Sequence, residues 1–366
     1  MIPAVMYSLL RPLLFRLDPE TAHQLALRGL RFAGNFPLSN WLLTQLYKTP
    51  SQPVRAFGLT FKNPVGLAAG YDRDGIAIRG LSALGFGHIE IGTITPQPHP
   101  GNPTPRLFRL IEDEAVIDRM GSPSRGSEFV QMRMNPSLRA GWFERTFGIQ
   151  PSGQKRKAFA PRRGSVILGI NIGRNKETPN EQAVLDYLAL LQNFAPYADY
   201  LAINVSSPDT AGLRQLQAGE SLRSLLGHLH AQRKIEEGTL QKKIPLLVKL
   251  SPDLTSQELD EAMDVILQTR MDGIIATSTT LTREGLRSRH RDEAGGLSGA
   301  PLRVRSEAVL RQAVRRVDGR IPIISVGGIM TPDDARRRLD MGAALIQVYT
   351  GLIYHGPGLV KKILGQ

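Results

Sequence analysis

Leu201-Ala-Ile-Asn-Val-Ser-Ser-Pro-Asp-Thr-Ala-Gly-Leu-Arg214 runs from an apolar segment straight into a polar loop. Leu201 to Val205 has the composition of a strand buried on both faces. Pro208 ends it, because proline has no N–H to give to a ladder. The polar cluster Asn204, Ser206 and Ser207 therefore stands at a strand's carboxyl end, where α/β folds place their chemistry. Taken alone, Ser-Ser-Pro is more simply an N-terminal helix cap. Recurrence of the same arrangement along the chain decides between the two.

That recurrence begins beyond Leu59, as a short apolar strand, a polar or Gly-rich turn and an amphipathic helix. Strands are expected at Val65–Ala69, His88–Thr93, Val166–Ile172, Leu201–Val205, Pro245–Leu250, Gly273–Thr277, Pro322–Val326 and Leu345–Tyr349. Helices fall between most of them, at Glu181–Asn193, Ser221–Lys234, Ser256–Thr269, Arg303–Val317 and Pro332–Met341. Eight such units in about three hundred residues match a (β/α)8 TIM barrel better than an open doubly wound sheet. The barrel is expected over 51–366, interrupted by a long insertion between strands two and three.

The chain has 366 residues, no cysteine and a net charge of +13. Without cysteine there are no disulfides, thiolate ligands, iron–sulfur clusters or thiol nucleophiles, so redox chemistry requires a bound cofactor. The charge is concentrated. Residues 131–165 hold eight Arg or Lys against Glu144 alone. Such a basic insertion is either a solvated disordered loop or a docking segment for an acidic protein or anionic lipid. No nucleic-acid-binding motif accompanies it, and no nucleic acid partner is expected.

Residues 1–50 read as a separate helical unit. Leu9, Leu10, Leu13, Leu14 and Leu17 recur at helical spacing with Arg11 and Arg16 among them. Asp18-Pro19-Glu20 then opens a second helix, with Asp as cap and Pro at the first helical position. No apolar run approaches the ~20 residues of a membrane span. An amphipathic pair of this kind either packs on the barrel or lies in a membrane interface as a monotopic anchor.

On the barrel reading, the strand ends converge on one mouth rich in amide, hydroxyl and lysine groups. No His/Asp/Glu cluster with metal-ligand spacing lies there, so no metal is expected. Gly327-Gly328 and Thr350-Gly351, at the last two strand ends, let backbone N–H groups approach an anion, and barrels often bind phosphate at this place. With Lys249 placed to face an electron-rich ring, the pattern suits a phosphorylated redox cofactor such as FMN.

Several strings carry a specific resemblance: Asn63-Pro-Val-Gly-Leu-Ala-Ala-Gly70, Gly85-Phe-Gly-His-Ile-Glu-Ile-Gly-Thr93, Pro105-Arg-Leu-Phe-Arg109, Leu168-Gly-Ile-Asn-Ile-Gly173, Asn204-Val-Ser-Ser-Pro208 and Gly295-Gly-Leu-Ser-Gly299. Together they resemble the class 2, quinone-linked dihydroorotate dehydrogenases of pyrimidine biosynthesis, over nearly the whole chain. The resemblance implies an FMN-containing barrel, a peripheral membrane location on the cytoplasmic face through residues 1–50, and a quinone or other electron acceptor. It implies FMN contacts at Ala69, Gly70, Thr93, Asn171, Asn204, Lys249, Thr277, Gly299, Gly328, Tyr349 and Thr350. Ser207 falls on the family's catalytic base.

The substrate side departs from that pattern. Arg73 stands in place of a lysine, Asp118, Asp209 and Ser278 in place of asparagines, and Ser122 in place of an aromatic residue. An asparagine both donates and accepts hydrogen bonds, whereas an aspartate only accepts and adds negative charge. Pairing of Arg73 with Asp118 or Asp209 would take the guanidinium from an anionic substrate. Three readings follow: an FMN flavoprotein with a changed or lost substrate, an active dihydroorotate:quinone oxidoreductase, and a non-catalytic binding or assembly subunit of a membrane complex.

Overall fold

The computed structural model describes residues 2–135, 166–207, 212–217 and 219–365. Eight parallel strands close into a barrel: β1 Val65–Leu67, β2 His88–Ile94, β3 Ile167–Ile172, β4 Tyr200–Asn204, β5 Leu246–Leu250, β6 Gly273–Ala276, β7 Ile323–Val326 and β8 Leu345–Val348. Each strand pairs with its sequence neighbour, and β8 closes on β1 through Ile346 opposite Val65. All eight expected strands are present; six are shorter by one or two residues, β2 runs one residue further and β4 begins and ends one residue earlier.

Burial explains the composition of these strands. On the outside, Ile170, Leu201, Ile203, Val248 and Ile274 pack against the helical ring, beneath Leu190, Phe194, Leu226, Ile266 and Leu310. Inside, Tyr200, Ala202, Leu247, Ile275, Ile324 and Leu345 fill the barrel above Phe61. That floor belongs to a hairpin, Val54–Ala56 paired with Leu59–Phe61. Its two turn residues, Phe57 and Gly58, have φ of 55° and 75°, the left-handed pair that a tight hairpin requires.

Of the expected helices, Arg303–Val317 is unchanged and Ser256–Gln268 and Pro332–Asp340 end one residue early, whereas Gly219–Leu240 runs six residues beyond the expected end at Lys234 and Ala183–Phe194 follows a 3-10 turn at Asn180–Gln182. Capping accounts for two of the starts. Thr255 with Glu258, and Thr331 with Asp334, form reciprocal capping boxes.

Two features depart from the sequence reading. The N-terminal unit contains three helices rather than a pair: α1 Ile2–Arg16, α2 Pro19–Asn35 and α3 Pro37–Leu46. Pro37 starts the third at its first turn, directly after α2. In addition, Leu107–Leu110, Ala115–Asp118 and Gly296–Gly299 form a three-stranded antiparallel sheet. It joins the β2–β3 and β6–β7 connections into one roof beside the mouth. Within the basic insertion, residues 131–134 complete the helix Gly126–Met134, while 136–165 lie outside the described residues.

His88 sits low in the barrel, fully buried, in edge contact with Phe61 at 5.4 Å. Gly66 leaves room for it; a Cβ there would stand 2.1 Å from His88 Nε2. Among the described residues neither ring nitrogen has a hydrogen-bond partner, and burial pushes the imidazole pKa down to about 3. The unfolded chain therefore binds a proton at this site, between pH 6.5 and 3, that the folded chain refuses, so stability falls as pH drops through that window. Chemical denaturation across the window should show a shallower acid loss for His88→Phe than for the wild-type chain; an unchanged slope would exclude His88 as the source.

Candidate functional site

The carboxyl ends of the strands surround the more polar of two cavities, about 1050 Å³ with part of it open to solvent. Ala69, Gly70, Thr93, Asn204, Lys249, Thr277, Gly299, Gly328, Tyr349 and Thr350 line it, as do Ser207, Arg73, Asp118, Ser122 and Ser278. Asn171 does not reach the wall. It lies fully buried one layer behind, accepting from Thr93 Oγ1 at 2.7 Å. Asp209 falls outside the described residues.

One residue organises this mouth that the sequence reading passed over. Glu90, on β2, is fully buried. Its Oε1 accepts from Asn171 Nδ2 at 2.9 Å and faces Lys249 Nζ at 3.8 Å. Its Oε2 accepts from Gln347 Nε2 at 2.9 Å and from the Tyr200 hydroxyl at 3.1 Å. Five strands thus meet at one carboxylate. Burial and the Glu90 charge push the Tyr200 phenol well above its ordinary pKa, so it stays a donor. The signal was available: a lone carboxylate in the apolar strand His88–Ile94 must be paired or functional.

From Glu90 the chain of contacts runs upward. Asn171 holds Thr93, Asn204 Nδ2 donates to Thr93 Oγ1 at 2.8 Å, and Asn204 Oδ1 accepts from the Ser206 amide and hydroxyl at 3.1 and 2.9 Å. Ser278 Oγ donates to Ser206 O at 3.2 Å. The backbone immediately before Ser207 is therefore tied to the barrel centre.

Arg73 and Asp118 form an ion pair at 2.9 Å. Arg73 Nη1 also lies 2.8 Å from Met120 Sδ, and Asp118 Oδ1 accepts from the Met120 amide at 2.7 Å. The guanidinium is thus turned toward the roof strand Ala115–Asp118.

Arg73 and Tyr349 also border a second cavity, of about 1410 Å³, between α1, α2 and the barrel. Its lining is mostly apolar and includes Leu14, Phe15, Ala22, Leu30 and Leu352. His23 lies within it, edge to face with Tyr71 at 4.9 Å. Burial pushes the His23 imidazole down to about 4, so it is neutral near pH 7. Arg106 clamps Glu20 of α2 through bonds of 3.0 and 2.7 Å, which fixes the helices against the roof. On the outer side Leu9, Leu10, Leu13, Phe32, Phe36, Leu38, Trp41 and Leu42 are exposed, Leu9 at 72% and Leu38 at 70%. So much apolar surface on one small unit marks an interaction face. Among the described residues no helix is long and apolar enough to cross a membrane.

The dihydroorotate dehydrogenase family profile matches residues 52–366. The chain belongs to the dihydroorotate dehydrogenase family. Its likeness extends over full-length relatives. It is 45% identical to the dihydroorotate dehydrogenase (quinone) of Idiomarina loihiensis, across 98% of this chain and 99% of that protein. It is 44% identical to the enzyme of the same name from Azotobacter vinelandii, across 98% and 95%. The crystal structure of the Eimeria tenella dihydroorotate dehydrogenase in complex with ferulenol superimposes with a TM-score of 0.78 at 37% identity, covering 95% of this chain and 90% of that one.

Ten of the eleven residues expected to face a cofactor line one cavity. Asn171, Glu90, Gln347 and Tyr200 make up the layer beneath. Glu90→Gln should remove the charge that offsets Lys249 and lower unfolding free energy by about 3 kcal/mol, the lower end for breaking a buried pair because Lys249 borders the cavity. Urea titration measures this, and a change below about 1 kcal/mol would show that the charge contributes little.

Proposed function

We infer that this chain is an FMN-dependent oxidoreductase of the quinone-linked dihydroorotate dehydrogenase type, bound peripherally to a membrane. The observation that carries the reading is the pair of cavities, one more polar and one mostly apolar, sharing a wall at Arg73 and Tyr349. The polar one suits FMN. Lys249 offers a cation, Asn204, Thr93 and Thr277 offer amide and hydroxyl groups for a polar ring edge, and Gly328 and Thr350 offer close backbone approach for a phosphate. Bound FMN supplies a two-electron acceptor that can be reoxidised by a quinone. The apolar cavity suits the quinone, entering between α1 and α2 from the lipid side.

The protein's own part is placement and proton handling. Ser207 stands at the mouth as the base that takes the substrate proton, passing it to a water or polar relay because a hydroxyl's own pKa is far from neutral. The ties from Glu90 through Asn171, Thr93 and Asn204 hold the neighbouring backbone in position. The neutral His23 leaves the apolar cavity uncharged.

Dihydroorotate is the first substrate to test, because it is named for the full-length relatives. The ion pair between Arg73 and Asp118 favours a second reading, in which the substrate has changed. A guanidinium already matched by a carboxylate is less available to an anionic substrate, and each lost or reversed contact costs ~1–3 kcal/mol.

Anaerobic addition of dihydroorotate to the yellow protein separates these readings. Bleaching supports the dihydroorotate reading and removes the changed pocket. A flavin that stays oxidised until Asp118→Asn and Arg73→Lys are introduced supports the changed pocket. A colourless protein that cannot be reconstituted sinks both in favour of a non-catalytic subunit. With an active substrate, Ser207→Ala should lower kcat by about 10²–10⁴-fold with the flavin spectrum intact; normal turnover would remove Ser207 as the base.

The exposed face of α1–α3 is read as a membrane-docking surface. Replacing Leu9, Leu38 and Trp41 together with Ser should weaken partition onto phospholipid vesicles by at least about tenfold, given roughly 1.5–3 kcal/mol for each large apolar side chain buried. Unchanged co-sedimentation would assign that face to another partner.

A further inference from the structure

Gly327 and Gly328 follow β7 and line the polar cavity, with φ of 112° and 70°. Space explains the second glycine, since a Cβ on Gly328 would stand 2.5 Å from Arg303 Cα. Behind this turn lies Arg338, from the helix Pro332–Asp340, with 0% of its surface exposed. A fully buried arginine must have a reason, because desolvating its charge is costly unless it is bonded or paired.

Its bonds converge on the turn. Arg338 Nη2 donates to Gly327 O at 2.8 Å, to Ser306 Oγ at 2.8 Å and to Arg303 O at 3.1 Å, and Nη1 reaches Ser325 Oγ at 3.4 Å. Ser306 Oγ lies within donating distance of the same Gly327 carbonyl, at 2.8 Å. Glu307 Oε1 stands 3.5 Å from Arg338 Nε. Asp334 takes Arg303 at 3.1 Å and also pairs with Arg337. Arg303 and Arg337 are partly exposed members of this cluster, whereas Arg338 is fully buried. Burial pushes the Arg338 guanidinium down to about 10, which leaves it charged at neutral pH.

Peptide geometry turns these contacts into a function. The carbonyl of Gly327 and the N–H of Gly328 belong to one planar trans unit and point in opposite directions. Pinning that oxygen into the protein aims the N–H outward, toward the cavity. We propose that Arg338 is the positioning residue of the cofactor's phosphate subsite: it touches no ligand, but orients the 327–328 peptide so that its N–H meets the phosphate. Because the contacts are to backbone carbonyls, to Ser306 and Ser325 and to Glu307, side chains that do not line the cavity, no other part of the cofactor should depend on them.

This rests on the FMN reading, and the experiment keeps the two apart by comparing FMN with riboflavin, which differs only in lacking the phosphate. Binding to the full-length apoprotein is followed by quenching of flavin fluorescence. Arg338→Met is expected to raise the Kd for FMN by at least about tenfold, the scale of one lost charge-assisted contact, while riboflavin affinity is unchanged. Arg338→Lys should recover part of the loss, since an ammonium can still donate to Gly327 O. Ser306→Ala, a smaller change that keeps the arginine, should give a smaller shift confined to FMN. Equal weakening of both flavins would make Arg338 a purely structural residue and overturn the proposal, as would unchanged FMN binding. Should Arg338→Met fail to fold, Arg338→Lys and Ser306→Ala decide by the same ratio. A wild-type chain that binds neither flavin overturns the FMN reading itself, and one that binds both equally retains flavin binding but overturns the phosphate subsite.

Discussion

A carboxylate enclosed in a closed barrel has to find its donors among the strands around it, and Glu90 does so by drawing one side chain from each of β3, β4, β5 and β8. Transfer of an isolated charge into such a place is prohibitive unless it is paired and hydrogen-bonded. The requirement therefore fixes Asn171, Tyr200, Lys249 and Gln347 together, and through Asn171 it fixes Thr93 and Asn204. The floor of the polar cavity is rigid because its members share one acceptor. Preorganised groups of this kind need little reorganisation when charge develops near them.

The same molecule keeps two solvents apart. Above Glu90, amide, hydroxyl and lysine groups share the wall with Ala68, Leu302, Val326 and Ile329; across Tyr349 it becomes mostly Leu, Phe and Ala under α1 and α2. Arg106 clamping Glu20 holds the helical unit over this boundary, and Arg109 donating to Leu14 O and Leu17 O does the same for the end of α1. Exposed leucines on the far side of those helices place the apolar route next to the apolar surface.

The barrel was legible because periodicity and burial say the same thing eight times: apolar runs such as Leu201–Val205 are intelligible only as strands covered on both faces. Ser207, Lys249 and the Gly327-Gly328 turn were legible because their positions at strand ends follow from the fold. Glu90 was not singled out, since one polar residue inside a strand pattern carries no information about its partners until β3, β4, β5 and β8 are brought around it. His23 was hidden for a similar reason, its environment being supplied by Tyr71 from another part of the chain. The third N-terminal helix, Pro37–Leu46, follows so closely on the second that its start reads as continuation. The roof sheet was missed because one of its three strands lies about 180 residues from its partner, as the pairing of Val116 with Ser298 shows, and each strand is only four residues long.

That roof has a consequence for how such a barrel can diversify. Loops at a barrel mouth are usually exchangeable one at a time, because each hangs from its own strand. Here Ala115–Asp118 forms the middle of a sheet whose outer member, Gly296–Gly299, hangs from a different unit, and Thr350 Oγ1 binds Ser298 Oγ at 2.8 Å. Grafting either segment alone from another barrel would leave an unpaired edge over the cavity. New specificities on this scaffold are therefore reached by exchanging side chains within a fixed lattice, or by transplanting both segments at once.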